Sequence, residues 1–407
     1  MRIWYINNYN MLPEHGHLNR GYYLGKYLKK LGHEPVVFVG SHPHNTKLQL
    51  IEDNAPYKVY QKKPFPWVLI KTRNYEGSKK SRVISMLEFY FNMKKAAKHF
   101  KMPDAIIGSS AHPLAALLAI QLGKKYGCKS IVEVRDLWPE SIVAYGLAKE
   151  NNPLIIMMRK MEKWLYTKAD NIVFLMAGGY DYIKNQGWGD VISDGKVEYV
   201  SNGIDLELFD RNAEEYQIRD DTDLENESAF KIVYTGSLRK ADEQILGLFD
   251  AISQMQGVEF ADYVFLIYGD GNLREELEER CKKNGYKNVR IKGFVDKRYI
   301  PNILSKCNLA ILNIYPNDVL KYGGSQNKLF DYLAAGLPII SGENNKYSIV
   351  NRNACGVSKK FSNAKDLVET IGYLKSNPIE KAHIRKVAEQ YDYKILAQKV
   401  ADISSKK

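Results

Sequence analysis

The sequence predicts an α/β protein made of two doubly wound, Rossmann-like domains facing across a cleft, and three observations lead there. The chain has 407 residues, more than the roughly 250 to 300 at which a single core stops growing. Strand-like apolar runs alternate with amphipathic helical runs from end to end, the pattern of βαβ units and a parallel sheet. The alternation breaks once, in the acidic and polar stretch AEEYQIRDDTDLENES, and then restarts.

In the first half, RIWYINNY leads through the loop PEHGHLNRG to the amphipathic GYYLGKYLKKLGH and the apolar PVVFVG. DAIIGSS then precedes HPLAALLAIQLGKKYG, SIVEVRD precedes a long helical pattern, and NIVFLMA and VEYVSNG follow. A right-handed doubly wound domain over residues 1–212 accounts for this order. Residues 213–228 read as the linker. FKIVYTG, YVFLIYGDG, VRIKGFV, LAILNIY and LPIISG, with helices between, build a second domain over 229–377. Residues 378–407 form a final helical run outside that pattern.

Composition narrows the classes. With 45% apolar and 26% charged residues this is an ordinary globular chain. Cys128, Cys281, Cys307 and Cys355 lack C-x-x-C spacing, and no charged-then-apolar leader precedes RIWYI. A reducing cytoplasm is expected, with no disulfide and no zinc. Apolar stretches such as PLAALLAIQL fall short of the roughly 20 residues that span a bilayer. The net charge of +12 is uneven: Lys62, Lys63, Lys71, Arg73, Lys79, Lys80 and Arg82 stand against one acid, Glu76, with Phe65 and Trp67 interleaved. Such a segment suits an anionic membrane surface, and a solvated basic face is the plainer alternative. No nucleic-acid module accompanies it, and no nucleic acid is expected as a partner.

Parallel sheets gather ligand-binding loops at the carboxyl ends of their strands, so residues just after the apolar runs are the candidates. In YTGSLRK, Gly236 and Ser237 make a tight turn, and Arg239 and Lys240 bring two cations to a helix start, where a diphosphate would be bound. In GGSQNKLFDYLAAGLP, Gly323 and Gly324 permit close backbone approach, and Asn327 and Lys328 open a helix toward a phosphate. Asp331, one turn on, either accepts two sugar hydroxyls or neutralises Lys328. IVEVRDLWPES gathers Arg135, Asp136, Trp138 and Glu140 past a buried strand, the first two expected at the chemistry and the others at an acceptor. His112 follows IIGSS and is either a sugar contact and proton carrier or a packed helix cap. His15, Gly16, His17 and Arg20 occupy the first strand-to-helix loop, Gly16 expected at the donor and the others at the acceptor. His15 and His17 lack a third ligand for a metal.

These residues resemble the family 4 retaining glycosyltransferases of the GT-B fold over nearly the whole chain. VEYVSNGIDLELFD resembles the family's strand into an NGVD-x-x-x-F turn. YTGSLRK, LIYGDGNLREEL and VRIKGFV follow the order of its second domain, and KLFDYLAAGLPII resembles its nucleotide-sugar signature. RDLWPES is similar to members that build bacterial surface polysaccharides, among them transferases of N-acetylated aminosugars. The resemblance implies a UDP-sugar donor and no cofactor. Arg239 and Lys240 would face the diphosphate, Phe294 and Val295 the base, and Asp331 the ribose, while the final helix returns to the first domain. It also exposes departures. The family's acidic pair is two glutamates with seven residues between them; here the later is Asp331 and the earlier is Gly323, so the sugar-contacting carboxylate is missing or replaced by Gly324, Ser325 and Gln326. Arg135 stands where many members have His, and Asp242 and Gln244 occupy the neighbourhood of a usual lysine, for which Lys240 would substitute.

A retaining enzyme of this type needs preorganised donors for the leaving diphosphate and no protein nucleophile, since the departing phosphate takes the acceptor's proton. The expected function is therefore metal-independent transfer from a UDP-sugar to a lipid-linked saccharide at the inner membrane face. Two other readings fit the same fold: a non-catalytic glycosyltransferase-like subunit, and a nucleotide-sugar 2-epimerase.

Overall fold

A computed structural model describes every residue except 17, 45, 61–62, 111, 240–243, 313, 315–317 and 407, and the side chains of 79, 244 and 318 are likewise not described. The chain divides into two compact units, 1–201 joined by 393–407, and 202–392. The first contains strands β1 (Arg2–Ile6), β2 (Glu34–Gly40), β3 (Tyr57–Tyr60), β4 (Trp67–Ile70), β5 (Ala105–Ser109), β6 (Lys129–Val134), β7 (Asn171–Phe174) and β8 (Val197–Tyr199). They form one sheet in the order β3-β4-β2-β1-β5-β6-β7-β8. Among the described residues only the β3–β4 pairing is antiparallel. The inner strands β1, β2, β4, β5, β6 and β7 are buried on both faces because both are covered, as parallel sheets require.

One face carries helices Arg20–Lys30 and Tyr393–Ser405, whose Leu24, Leu28, Leu396 and Val400 join Tyr5, Val37 and Leu69 in one core. Tyr23 and Tyr393 stack with ring centroids 5.0 Å apart, so the end of the chain is built into this unit. The other face carries helices Lys79–Ala96 and Pro113–Tyr126, with Phe89, Met93, Leu118 and Leu122 packed on Trp4 and Phe38. Burying each such side chain is worth about 1.5 to 3 kcal/mol.

The second unit contains β9 (Phe230–Thr235), β10 (Tyr263–Tyr268), β11 (Val289–Gly293), β12 (Leu309–Ile311), β13 (Ile339–Ser341) and β14 (Gly356–Ser358). Its sheet runs β11-β10-β9-β12-β13-β14, with every pairing parallel. Residues 213–228, expected as a linker, are part of this unit. Helix Leu206–Glu215 and the short helix Thr222–Glu225 precede β9, and Leu224 is buried. The acidic run is held by cations from β11: Lys292 Nζ lies 3.0 Å from Asp221 and 2.7 Å from Asp223, and Arg290 Nε 2.9 Å from Asp223.

Candidate functional site

In the second unit, the loops after β9, β10, β11 and β13 meet beside the start of helix Asn327–Ala334. Gly236 donates its N–H to Tyr268 O at 2.9 Å, Gly269 to Gly293 O at 2.8 Å, and Leu238 to Asp270 O at 3.0 Å, which ties the first three loops together. A side chain at Gly236 would have its Cβ 3.4 Å from Lys328 Nζ. That ammonium also sits 4.2 Å from the Tyr234 ring centroid. The glycine thus leaves a space beside a cation, and Ser237 follows it, its carbonyl accepting from the Tyr234 hydroxyl at 3.1 Å. Arg239 is exposed; Lys240 lies outside the described residues.

Asp331 is buried in the helix, with Lys297 Nζ 3.9 Å away. Lys297 belongs to the turn that follows Phe294 and Val295. Phe294 is 69% exposed, and Val295 packs on the core. At the head of the helix, Ser325 is fixed by Asn202, whose N–H donates to Ser325 Oγ at 2.8 Å and whose Nδ2 donates to Ser325 O at 2.7 Å. Gln326 occupies the cap position and Asn327 the first turn. The residues expected at a donor, Gly236, Ser237, Phe294, Val295, Ser325, Gln326, Asn327, Lys328 and Asp331, therefore share the carboxyl edge of one sheet. Gly16 lies in the other unit.

In the first unit, the expected residues separate into structural and available ones. Arg20 is buried; Nε donates to Glu133 Oε2 at 2.9 Å, Nη2 to Val200 O at 3.0 Å, and Nη1 to Ser201 O. Glu133 also accepts from Tyr5 OH at 2.5 Å and Ser109 Oγ at 2.8 Å. Burial pushes the Glu133 carboxyl up, but the Arg20 charge and the two hydroxyls outweigh it and hold it below the usual range. Arg20 therefore anchors the interior, where the sequence had it at the acceptor. Glu140 is likewise paired, 2.5 Å from Arg159, which also holds Glu150 and Tyr182. His15 ends a short turn next to Gly16, while His17 lies outside the described residues.

His112 is buried, and neither ring nitrogen has a hydrogen-bond partner among the described residues. Burial, aided by the Arg82 charge, pushes its pKa down to about 3, which makes it a neutral donor and acceptor at ordinary pH. It opens onto a cavity of about 30 Å³ shared with Ser110, Asp136, Trp138, Met161 and Glu162. Burial raises Glu162 to about 8 despite hydrogen bonds from Tyr182 and Tyr166. Trp138 and Asp136 are exposed, and Arg135 half-buried. Beside His112 stand Tyr9, His44 and Tyr75, which the sequence reading did not single out, and Arg82, which it had assigned to the basic segment. The Tyr9 ring lies 5.5 Å from His112, Arg82 Nε donates to Tyr9 OH at 3.3 Å, and His44 Nδ1 is 2.7 Å from Tyr75 OH. Tyr9, His44, Tyr75 and His112 come from the loops after β1, β2, β4 and β5, and Arg82 from the first turn of helix Lys79–Ala96; the linear signal for the loop residues is only that each comes after an apolar run.

The basic segment is less available than its composition implies. Phe65 and Trp67 are buried, Lys63 pairs with Glu14 at 2.6 Å, and Arg73 with Glu88 at 2.8 Å. Lys62 lies outside the described residues, as does the side chain of Lys79. Helix Lys79–Ala96, however, turns Phe89 and Met93 inward and Val83, Leu87 and Phe91 outward at helical spacing. Among the described residues no helix is long and apolar enough to cross a membrane.

Residues 19–208 match the family model "Glycosyltransferase Family 4", and residues 229–377 match "Glycosyl transferases group 1". Both parts of the chain are accordingly similar to glycosyltransferase families, and its two parallel α/β sheets are those of the GT-B fold. It is 32% identical over 107 residues to the 2-deoxystreptamine N-acetyl-D-glucosaminyltransferase of Niallia circulans, a match covering 26% of each chain. It is 20% identical over 276 residues to the probable glycosyltransferase WbjE of Pseudomonas aeruginosa, covering 66% of this chain and 65% of that one. The matches thus span less than two thirds of the length of either curated relative. The structure of HepE of Anabaena with UDP superposes with a TM-score of 0.68 at 14% identity, over the full length of both chains.

Proposed function

We propose that this chain transfers a sugar, N-acetylated or deoxy-amino in type, from a UDP-sugar to a lipid-linked saccharide at the cytoplasmic membrane face during surface polysaccharide assembly. The observation that carries the donor half is the cradle at Gly236: a glycine where a side chain would meet the Lys328 ammonium, next to a helix start and one helical turn from Asp331. The Lys328 cation and the N–H groups of the helix start would stabilise the charge that builds on a departing diphosphate, and Arg239 would add a second cation. Asp331 suits the ribose hydroxyls, and the loop of Phe294 and Val295 the base. The UDP in HepE and the aminosugar named for the Niallia enzyme favour the same donor class.

The acceptor half rests on His112, whose ring nitrogens have no partner among the described residues, beside Tyr9, Arg82 and Trp138. The outward apolar stripe of helix Lys79–Ala96, flanked by the exposed Lys80 and Lys95, supports a membrane-surface location. The reaction as proposed needs neither metal nor cofactor, because the leaving phosphate serves as base and the cations carry its charge. A donor-turnover assay with UDP-sugars, run with and without a chelator, tests this reading. Release of UDP that persists in chelator is expected; absence of any turnover, with or without acceptor, would favour the non-catalytic alternative.

A further inference from the structure

We propose that Glu343 supplies the donor-sugar carboxylate, entering from the loop after β13 to fill in space the place that the chain leaves empty at Gly323. This rests on the nucleotide-sugar reading of the same domain and names the group that would hold the sugar itself.

Glu343 lies two residues beyond β13 and is only 4% exposed. Its backbone is fixed: the N–H donates to Ser341 Oγ at 3.3 Å, and the carbonyl accepts from Ser358 Oγ at 2.6 Å. Its carboxylate is poorly served. Among the described residues it accepts one side-chain hydrogen bond, from Gln326 Nε2 at a long 3.4 Å, and no ion pair. A buried carboxylate with so little compensation is costly, and burial accordingly pushes Glu343 up to about 7. Gln326 Oε1, next to it, is also buried and has no partner among the described residues. Two acceptors side by side call for a ligand that brings donors, and a sugar ring offers adjacent hydroxyls.

Gly324 makes the arrangement possible. A Cβ there would lie 2.3 Å from Glu343 Oε1 and 2.7 Å from Gln326 Oε1, so any side chain would displace the carboxylate. The loop therefore gives up its own acid at 323 and its side chain at 324, and the acid arrives from the neighbouring strand instead. Lys328, beside the Gly236 cradle, begins the same helix two residues after Gln326. Phosphate and sugar contacts would then adjoin along one short stretch of chain.

The test compares wild type, Glu343→Gln and Gly324→Ala by calorimetry with UDP, and by calorimetry and turnover with UDP-N-acetylglucosamine, UDP-glucose and UDP-galactose. Losing a hydrogen-bonded charge at the sugar should lower kcat/KM for the accepted UDP-sugar about 10- to 100-fold in Glu343→Gln, with UDP affinity unchanged within about twofold. Gly324→Ala, with Glu343 intact, should show the same selective loss. Retained UDP binding reports that each variant is folded. Wild-type behaviour of Glu343→Gln toward every sugar overturns the inference and leaves the transferase reading standing. Equal losses for UDP and UDP-sugar also overturn it, by making Glu343 a structural group. A wild-type protein that binds neither UDP nor any of the sugars overturns both.

Discussion

Replacing Arg20 by Ala distinguishes an interior anchor from an acceptor contact. The guanidinium is buried and serves Glu133, Val200 and Ser201 at once. Its removal leaves the Glu133 carboxylate, 2% exposed, with only the Tyr5 and Ser109 hydroxyls, and frees two buried carbonyls. Breaking a buried pair by deleting one partner costs about 3 to 5 kcal/mol, a large part of a domain's typical 5 to 15 kcal/mol. With a urea slope of about 2 to 3 kcal/mol/M the midpoint should fall by about 1 to 2.5 M. All five tryptophans lie in the first unit, so intrinsic fluorescence follows the unfolding of that unit alone. The sign with pH follows from Glu133, whose pKa is held low in the folded protein. Its stabilisation is present above the ordinary carboxylate range and is lost as pH falls through the folded value. The deficit of Arg20→Ala should therefore shrink on acidification, where Glu133 takes up a proton. A midpoint within about 0.3 M of wild type, together with lost transfer, would refute this reasoning and return Arg20 to the acceptor.

Other outcomes follow from the same geometry. Arg239→Ala should lower donor turnover about 10²- to 10³-fold, equivalent to about 2 to 4 kcal/mol of transition-state stabilisation; unchanged turnover would remove it from the diphosphate. His112, held at about 3 when folded against an ordinary 6.5, leaves the unfolded chain binding more protons between those values. Stability should fall as pH drops below 6.5, and wild type should lose about 2 kcal/mol more than His112→Leu between pH 7 and pH 5, measured by urea unfolding. Anionic vesicles should retain wild type at low salt and release a Val83→Ser, Leu87→Ser, Phe91→Ser triple variant on co-sedimentation; equal retention of the two would show that this helix face is not the contact.

The sequence made the strands legible because parallel strands buried on both faces are apolar throughout, as RIWYI and FKIVYT are. The site-bearing loops were legible for the same reason, since they begin where those runs end. What stayed hidden was pairing across sequence distance. The partner of Arg20 is 113 residues away, so in linear view it is one more cation in a candidate loop. Lys292 holds Asp221 and Asp223 from about 70 residues downstream, which turned an acidic run that reads as linker into a packed edge. Phe65 and Trp67 among lysines look the same whether they face a membrane or close a core, and only the sheet places them inside.

Glu343 is the case with the largest functional consequence. A spaced signature is local: it asks for two acids on one loop and helix, and Gly323 answers that one is absent. The chemistry asks only for a carboxylate at a point in space. In a parallel sheet the loop after each strand opens on the same edge as its neighbours, so an acid after β13 can reach the head of helix Asn327–Ala334 if nothing stands between them. Gly324 ensures that nothing does. The informative feature of GGSQNKLFDYLAAGLPIISGEN is then a pair, a glycine and a glutamate 19 residues apart in sequence and meeting at one loop.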